Sequence, residues 1–315
     1  MWLVQYIPTE TKFDFMRFRR IAFPISAALS ILTIVLFFGW GLNFGIDFRG
    51  GTLIEMQSKS GRADVASIRE RGNALGFGDV EVQEFGAPEN VSVRVALQEG
   101  GEQAQQVVVS RLRETFGTDY EFRRIEAVGP RVSGELVQSG TLGVLFATLG
   151  VMLYLWFRFE WQFALGGVIS TLHDLVLTIG FFALTQIEFN MTSIAAILTI
   201  LGYSINDTVV VYDRIREVLR KFKRLTPFEL VNVSLNSTLS RTIMTGISVF
   251  LVLIALALFG GEVIKGFAYA MLFGLVIGTY SSVFIAAPIL VYLGLKPSSE
   301  TASAAMGGKV PQPAE

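Results

Sequence analysis

Cysteine is absent from all 315 residues, and histidine occurs once, at His173. No disulfide, haem attachment or thiolate metal site can form, and a histidine-rich metal centre is excluded. Charge is sparse and balanced: 26 basic and 27 acidic residues leave a formal net charge of −1, which argues against nucleic acid as a partner. A cleavable leader is not evident, because the first twenty residues are mixed and basic and no small-residue cleavage site follows them. Only one long polar segment interrupts the chain, at 52–129. What remains is apolar length. Hydrophobic residues make up 51% of the chain, and mean hydropathy is +0.52. Several uncharged runs reach the roughly 20 residues needed to cross a hydrocarbon core about 30 Å thick. The chain reads as an integral protein of the lipid bilayer.

The most informative stretch is Gly202-Tyr-Ser-Ile-Asn-Asp-Thr-Val-Val-Val-Tyr-Asp-Arg-Ile-Arg-Glu217. It ends an uncharged run, Phe189 to Ile205, that reads as a membrane helix. Asp207 interrupts the apolar pattern, and Asp213-Arg214 closes it. A carboxylate near a helix centre costs about 2.5–3.5 kcal/mol, and less toward an end, so such groups pair, face a polar cavity or carry ions. Asp207 therefore either reaches water one to two turns from the end of the span or belongs to a functional site. Tyr203, Ser204 and Asn206 lie within one turn of it, with Thr199 further back, and this polar company favours the site.

Six spans are expected: 21–42, 139–157, 162–184, 191–212, 239–259, and one within 266–295. Lys12, Arg17, Arg19 and Arg20 precede the first, and six basic residues in 214–224 follow the fourth. Basic loops mark the cytoplasmic side, so both termini are expected there. The third span carries His173-Asp174 near its middle, with Ser170, Thr171, Asp174 and Thr178 on one face. These residues either hold helices together through buried hydrogen bonds or take part in proton movement. Thr226-Pro-Phe-Glu229 is a capping box that starts a short surface helix before the fifth span. In that span Arg241, Thr245 and Ser248 line one stripe. Arg241 either snorkels to the headgroups or pairs with the acid of the preceding helix, and the nearby acid favours pairing. Gly274-x-x-x-Gly278 predicts close helix approach in the last span.

The polar segment has its own rhythm. Strands are expected at 52–57, 80–85, 91–95 and 120–128, and helices at 64–75 and 102–116. The order β-α-β-β-α-β predicts a ferredoxin-like α+β arrangement with no catalytic constellation. The fold class is thus a polytopic α-helical membrane protein with six transmembrane helices and one extracytoplasmic ferredoxin-like domain. Its expected parts are a cytoplasmic N-terminus (1–20), transmembrane helix 1 (21–42), the α+β domain (43–135), transmembrane helices 2–6 (136–295) with a cytoplasmic loop at 213–238, and a disordered cytoplasmic tail (296–315).

Four stretches have a family look in their order and spacing: Phe44-Gly-Ile-Asp-Phe-Arg-Gly-Gly51, Val128-Gly-Pro130 with Val132-Ser-Gly-Glu135, Leu172-His-Asp174, and Gly202–Glu217 continuing to Ser240-Arg-Thr242. Together they span 44–242, and the chain resembles the SecF family of bacterial protein-export subunits, within the resistance–nodulation–division superfamily. The resemblance implies a bacterial inner-membrane protein with a periplasmic domain and a SecD partner. It implies proton-driven help for preproteins leaving the SecYEG translocon, with YidC and YajC as further candidate partners. It also implies that Asp207 is the intramembrane acid of the proton path and Arg241 its partnered base. Tyr203, Asn206 and Asp174 join them as candidate pathway residues. No enzyme activity, cofactor or metal is implied, protons being the coupling ion. The alternatives are a lipid or small-molecule exporter subunit of the same superfamily, and a structural organiser with no titrating residue.

Overall fold

The computed structural model describes residues 11–222 and 224–295. The tail at 296–315, residues 1–10 and position 223 lie outside them, as do the expectations that fall there. Among the described residues, six helical spans are long and apolar enough to cross a membrane, and the chain is a multi-pass membrane protein. The first comprises a 3-10 turn, Phe15–Phe18, and helix α1 (Arg19–Gly39). The second to fifth are α5 (Pro130–Arg158), α6 (Trp161–Thr185), α7 (Met191–Lys221) and α8 (Pro227–Phe259). The sixth runs through α9 (Glu262–Ser281), a π-helical turn (Ser282–Ala286) and α10 (Ala287–Tyr292).

Between α1 and α5 stands an α/β unit. A short helix, α2 (Ile46–Arg49), leads into β1 (Gly51–Ser58), α3 (Val65–Asn73), β2 (Val80–Glu84), β3 (Asn90–Val95), α4 (Gly101–Phe116) and β4 (Tyr120–Val128). The sheet order is β2-β3-β1-β4 and every pair is antiparallel. Alternation explains its core. Ile54, Met56, Val80, Val82, Val91, Val93 and Val95 bury one face of the sheet, and Ile68, Leu112 and Phe116 cover it from the helices. Glu55, Ser92 and Arg94 fall on the other, polar face.

Two boundaries differ from expectation. Helix α5 already begins at Pro130, which suits a first helical position because its missing N–H has no intrahelical partner there. The surface helix expected before the fifth span is instead the first part of α8. The capping box forms as expected, with Thr226 accepting from the Glu229 amide, but nothing between Pro227 and Gly246 breaks the helix. Its polar residues are occupied: Asn232 accepts from the Met16 amide at 3.0 Å, and Asn236 accepts from Phe13 and donates to its carbonyl, both at 2.8 Å.

The spans form two classes. In α6, α7 and the sixth span 50–61% of the most apolar stretch is buried, against 17% in α1, α5 and α8, so the first three are the inner helices. At the end away from the α/β unit their core holds Phe159, Phe163, Tyr212, Ile215 and Leu290. Near the unit it holds Phe182, Phe189, Ile197, Ile200, Leu253 and Met271. The intramembrane acids lie on the inner helices.

Candidate functional site

Helix α7 starts from a capping box in which Asn190 accepts from the Ser193 amide and the Ser193 hydroxyl pairs back. From there α7 descends against α9. Gly274 and Gly278 permit this: a Cβ at Gly274 would collide with Ile200, and one at Gly278 would press on Ser204. The close approach read from the glycine spacing is thus an α7–α9 crossing, and it brings the hydroxyls of both helices together.

Asp174 of α6 occupies the junction. Its side chain has no solvent exposure. One oxygen lies 3.0 Å from His173 Nδ1; the other accepts from Ser204 Oγ of α7 at 2.5 Å and Ser281 Oγ of α9 at 2.7 Å. One carboxylate therefore ties three helices together. Thr171 and Thr178 donate to backbone carbonyls of their own helix, whereas Ser170 Oγ and His173 Nε2 are buried without a hydrogen-bond partner.

Asp207 lies one turn beyond Ser204 on α7. The residue is 2% exposed, Thr279 of α9 faces its carboxylate, and Oδ2 is buried without a partner. Tyr203, one turn back, has Thr245 and Thr279 as polar neighbours, and its buried hydroxyl also has no hydrogen-bond partner. An ionised carboxylate held this way is incompletely compensated. The site can hold a proton or receive a cationic partner, and either relieves that cost.

The remaining candidates stand apart. Arg241 is exposed on α8, no ion pair joins it to Asp207, and its neighbour Thr242 is the buried residue at this level. Asn206 is likewise exposed, on the outer face of α7. The structure thus gathers Asp207, Tyr203, Thr245 and Thr279, and separately His173, Asp174, Ser204 and Ser281, while leaving Arg241 and Asn206 on the surface. Asp213 is engaged elsewhere, accepting from Arg158 Nη2 with both oxygens at 2.8 Å. Sequence reasoning missed Thr279 and Ser281. The available signal was Thr279-Tyr-Ser-Ser282, four successive hydroxyls inside an otherwise apolar span.

Comparison with known proteins gives this arrangement a family. Residues 107–296 match the model of the protein export membrane protein SecD/SecF, C-terminal, and residues 35–61 match the SecD/SecF GG motif. The chain belongs to the SecD/SecF family. A protein translocase subunit SecF from Rickettsia bellii is 41% identical, covering 93% of this chain and 97% of the relative. A protein translocase subunit SecDF from Brucella abortus is 43% identical over 98% of this chain. The crystal structure of SecDF from Thermus thermophilus, a translocon-associated membrane protein, superposes with a TM-score of 0.81 at 33% identity over 93% of this chain. The chain spans only 41% and 39% of those two SecDF proteins. Within the SecD/SecF match, the GG motif covers Phe44–Gly51, and the C-terminal match contains both buried acids.

Proposed function

We propose that this chain is the SecF-type half of a SecD–SecF unit of the bacterial inner membrane, and that it uses the proton motive force to assist preprotein export through SecYEG. The observation that carries this reading is the contrast on α7 and α8. Asp207 is buried with an unpartnered oxygen, while Arg241 and Asn206 are exposed on the outer faces of α8 and α7, and no ion pair joins Arg241 to Asp207. Polar side chains facing lipid are costly, so this face fits a partner bundle of like construction. The relatives in which a comparable chain is one part of a longer SecDF protein support SecD as that partner. The basic residues at 17–20 and 214–224 support cytoplasmic termini and a periplasmic α/β unit. The β-α-β-β-α-β order and the antiparallel β2-β3-β1-β4 sheet support the ferredoxin-like reading of that unit.

In this reading Asp207 is the proton-carrying acid and Arg241 its mobile base, with Tyr203 and Asn206 beside them and Asp174 as a second carboxyl. A proton crossing the membrane releases about 2.3 kcal/mol per 100 mV, enough to bias a conformational change of a few kcal/mol. The test is export by vesicles containing this chain, a SecD partner and SecYEG, with an imposed proton gradient. Asp207→Asn should abolish the gradient-dependent part and leave assembly intact. Full export by Asp207→Asn would favour a structural organiser, and drug or lipid efflux by the chain alone would favour an exporter.

A further inference from the structure

The glycine-rich segment between α1 and β1 has no part in the site just described, yet it is bound to the start of α7. Backbone bonds join them first: Gly45 donates to the Phe189 carbonyl at 2.9 Å, and Phe189 donates to the Asn43 carbonyl at 2.7 Å. Asp47 then accepts from the Met191 amide at 2.9 Å, placing a carboxylate on the N-terminus of α7, where the helix dipole favours negative charge. Phe48 stacks on Phe189 at 5.7 Å, and Phe44 meets its edge at 5.8 Å. Gly45 lets the carboxylate of Glu188 lie close to the segment: a Cβ there would overlap it and displace the end of that side chain.

The sheet holds the same turn from the other side. Arg94 of β3 donates to Glu188 at 2.8 Å, with side chains only 16% and 32% exposed. β3 pairs directly with β1, the strand that follows the segment. Two neighbouring strands therefore grip the α6–α7 turn. The start of α9 is different. A cleft of about 620 Å3, lined by Glu55, Ser92 and Arg124 of the sheet and by Gly266, Phe267 and Tyr269 of α9, separates it from the unit. The unit is bonded to the start of α7, a cleft lies between its sheet and the start of α9, and α7 meets α9 along the glycine face of Gly274 and Gly278.

We propose that Asn43–Gly51 together with the Arg94–Glu188 pair is the joint that carries displacement of α7 into the α/β unit, with Asp47 as the positioning residue at the helix end. Movement of α7 along α9 then opens or closes the cleft, which extends from Asp47 and Met191 at the joint to Tyr269 of α9. This rests on the proton-coupled reading of Asp207, because α7 carries both that acid and the gripped terminus.

The test uses the full chain with its SecD partner in vesicles, and the cysteine-free sequence allows labels at Gln83→Cys and Tyr269→Cys across the cleft. A proton gradient should shift the label distance. Asp47→Ala should abolish that shift and reduce gradient-driven export about fivefold or more, the factor one helix cap represents, while proton flux through the complex continues. Asp47→Asn, which keeps an acceptor, should restore most of the coupling. Reversing the outer pair, Arg94→Glu with Glu188→Arg, should rescue export lost in either single reversal, which guards against simple misfolding. Undiminished export and an unchanged distance response in Asp47→Ala overturn the joint. If Asp47→Ala is inert while Asp207→Asn abolishes export, the joint alone fails. If Asp207→Asn exports normally, the proton-coupled reading fails and the joint falls with it.

Discussion

Asp207 and Arg241 do not meet: the carboxylate is buried on α7 with one oxygen unpartnered, and the guanidinium stands exposed on α8. In the proposed proton-coupled reading, this separation is the arrangement in which the acid can hold a proton. Closure would bring Arg241 inward and displace that proton, since a nearby guanidinium favours the ionised carboxylate. Arg241→Met should eliminate gradient-driven export while co-purification with the SecD partner persists. Arg241→Lys should retain partial activity, because the charge survives and the two-pronged donor does not. Full export by Arg241→Met would rule out the switch.

Asp174 offers a separate test of stability against transport. Removing its hydrogen bonds to Ser204 and Ser281 with Asp174→Ala should lower stability by about 1–3 kcal/mol, from the worth of two buried hydrogen bonds. Tryptophan fluorescence during denaturation would read this. Asp174→Asn keeps one acceptor oxygen and should recover most of the stability while still lowering export. Normal export by that variant would confine Asp174 to holding α6, α7 and α9 together.

The α7–α9 crossing predicts a compensating pair. Gly274→Leu should destabilise the chain by about 1–3 kcal/mol through overpacking against Ile200. Ile200→Ala in the same chain should return part of the loss, since it clears the volume that the new side chain needs. Additive losses in the double variant would contradict the crossing.

At the joint, burial pushes the Glu188 carboxyl above its ordinary value of 4.5, with Asp47 and Glu126 adding to the rise and Arg94 and Arg124 opposing it. The docked state thus binds a proton at Glu188 more tightly than an exposed turn does. By linkage, this contribution to docking is complete below 4.5 and is lost as pH rises through the raised value. Cross-cleft label distances taken from pH 4 to 8 should show docking weakening with rising pH, and Glu188→Gln should flatten the profile. A profile of opposite slope would mean that the Arg94 ion pair dominates.

Much of this was legible before any coordinates. Hydropathy marks the spans because lipid admits no unpaired backbone, and strict alternation at 80–84 and 91–95 marks strands because one face of the sheet is buried. The continuous α8 was not legible. Asn232, Asn236 and Ser237 look like solvent-facing residues, but the two asparagines bond Phe13 and Met16, more than two hundred residues away in sequence. Asp207 announced itself by its cost. The hydroxyls around Asp174 did not, because which of Thr279, Ser281 and Ser282 faces an acid depends on helix rotation, and a uniformly apolar background leaves that unspecified.

The packing of α1 bears on how the protein is made. Its long-range hydrogen bonds reach late parts of the chain: Ser26 and the Ala22 carbonyl bond Tyr280, and Arg19 bonds Tyr292, while the residues just before it bond Asn232 and Asn236. During synthesis the first span can seat on α6, where Thr33 packs against Gly180, as soon as the third span is delivered. Its hydrogen bonds to the fifth and sixth spans form only when those arrive, so the earliest helix is packed early and locked late.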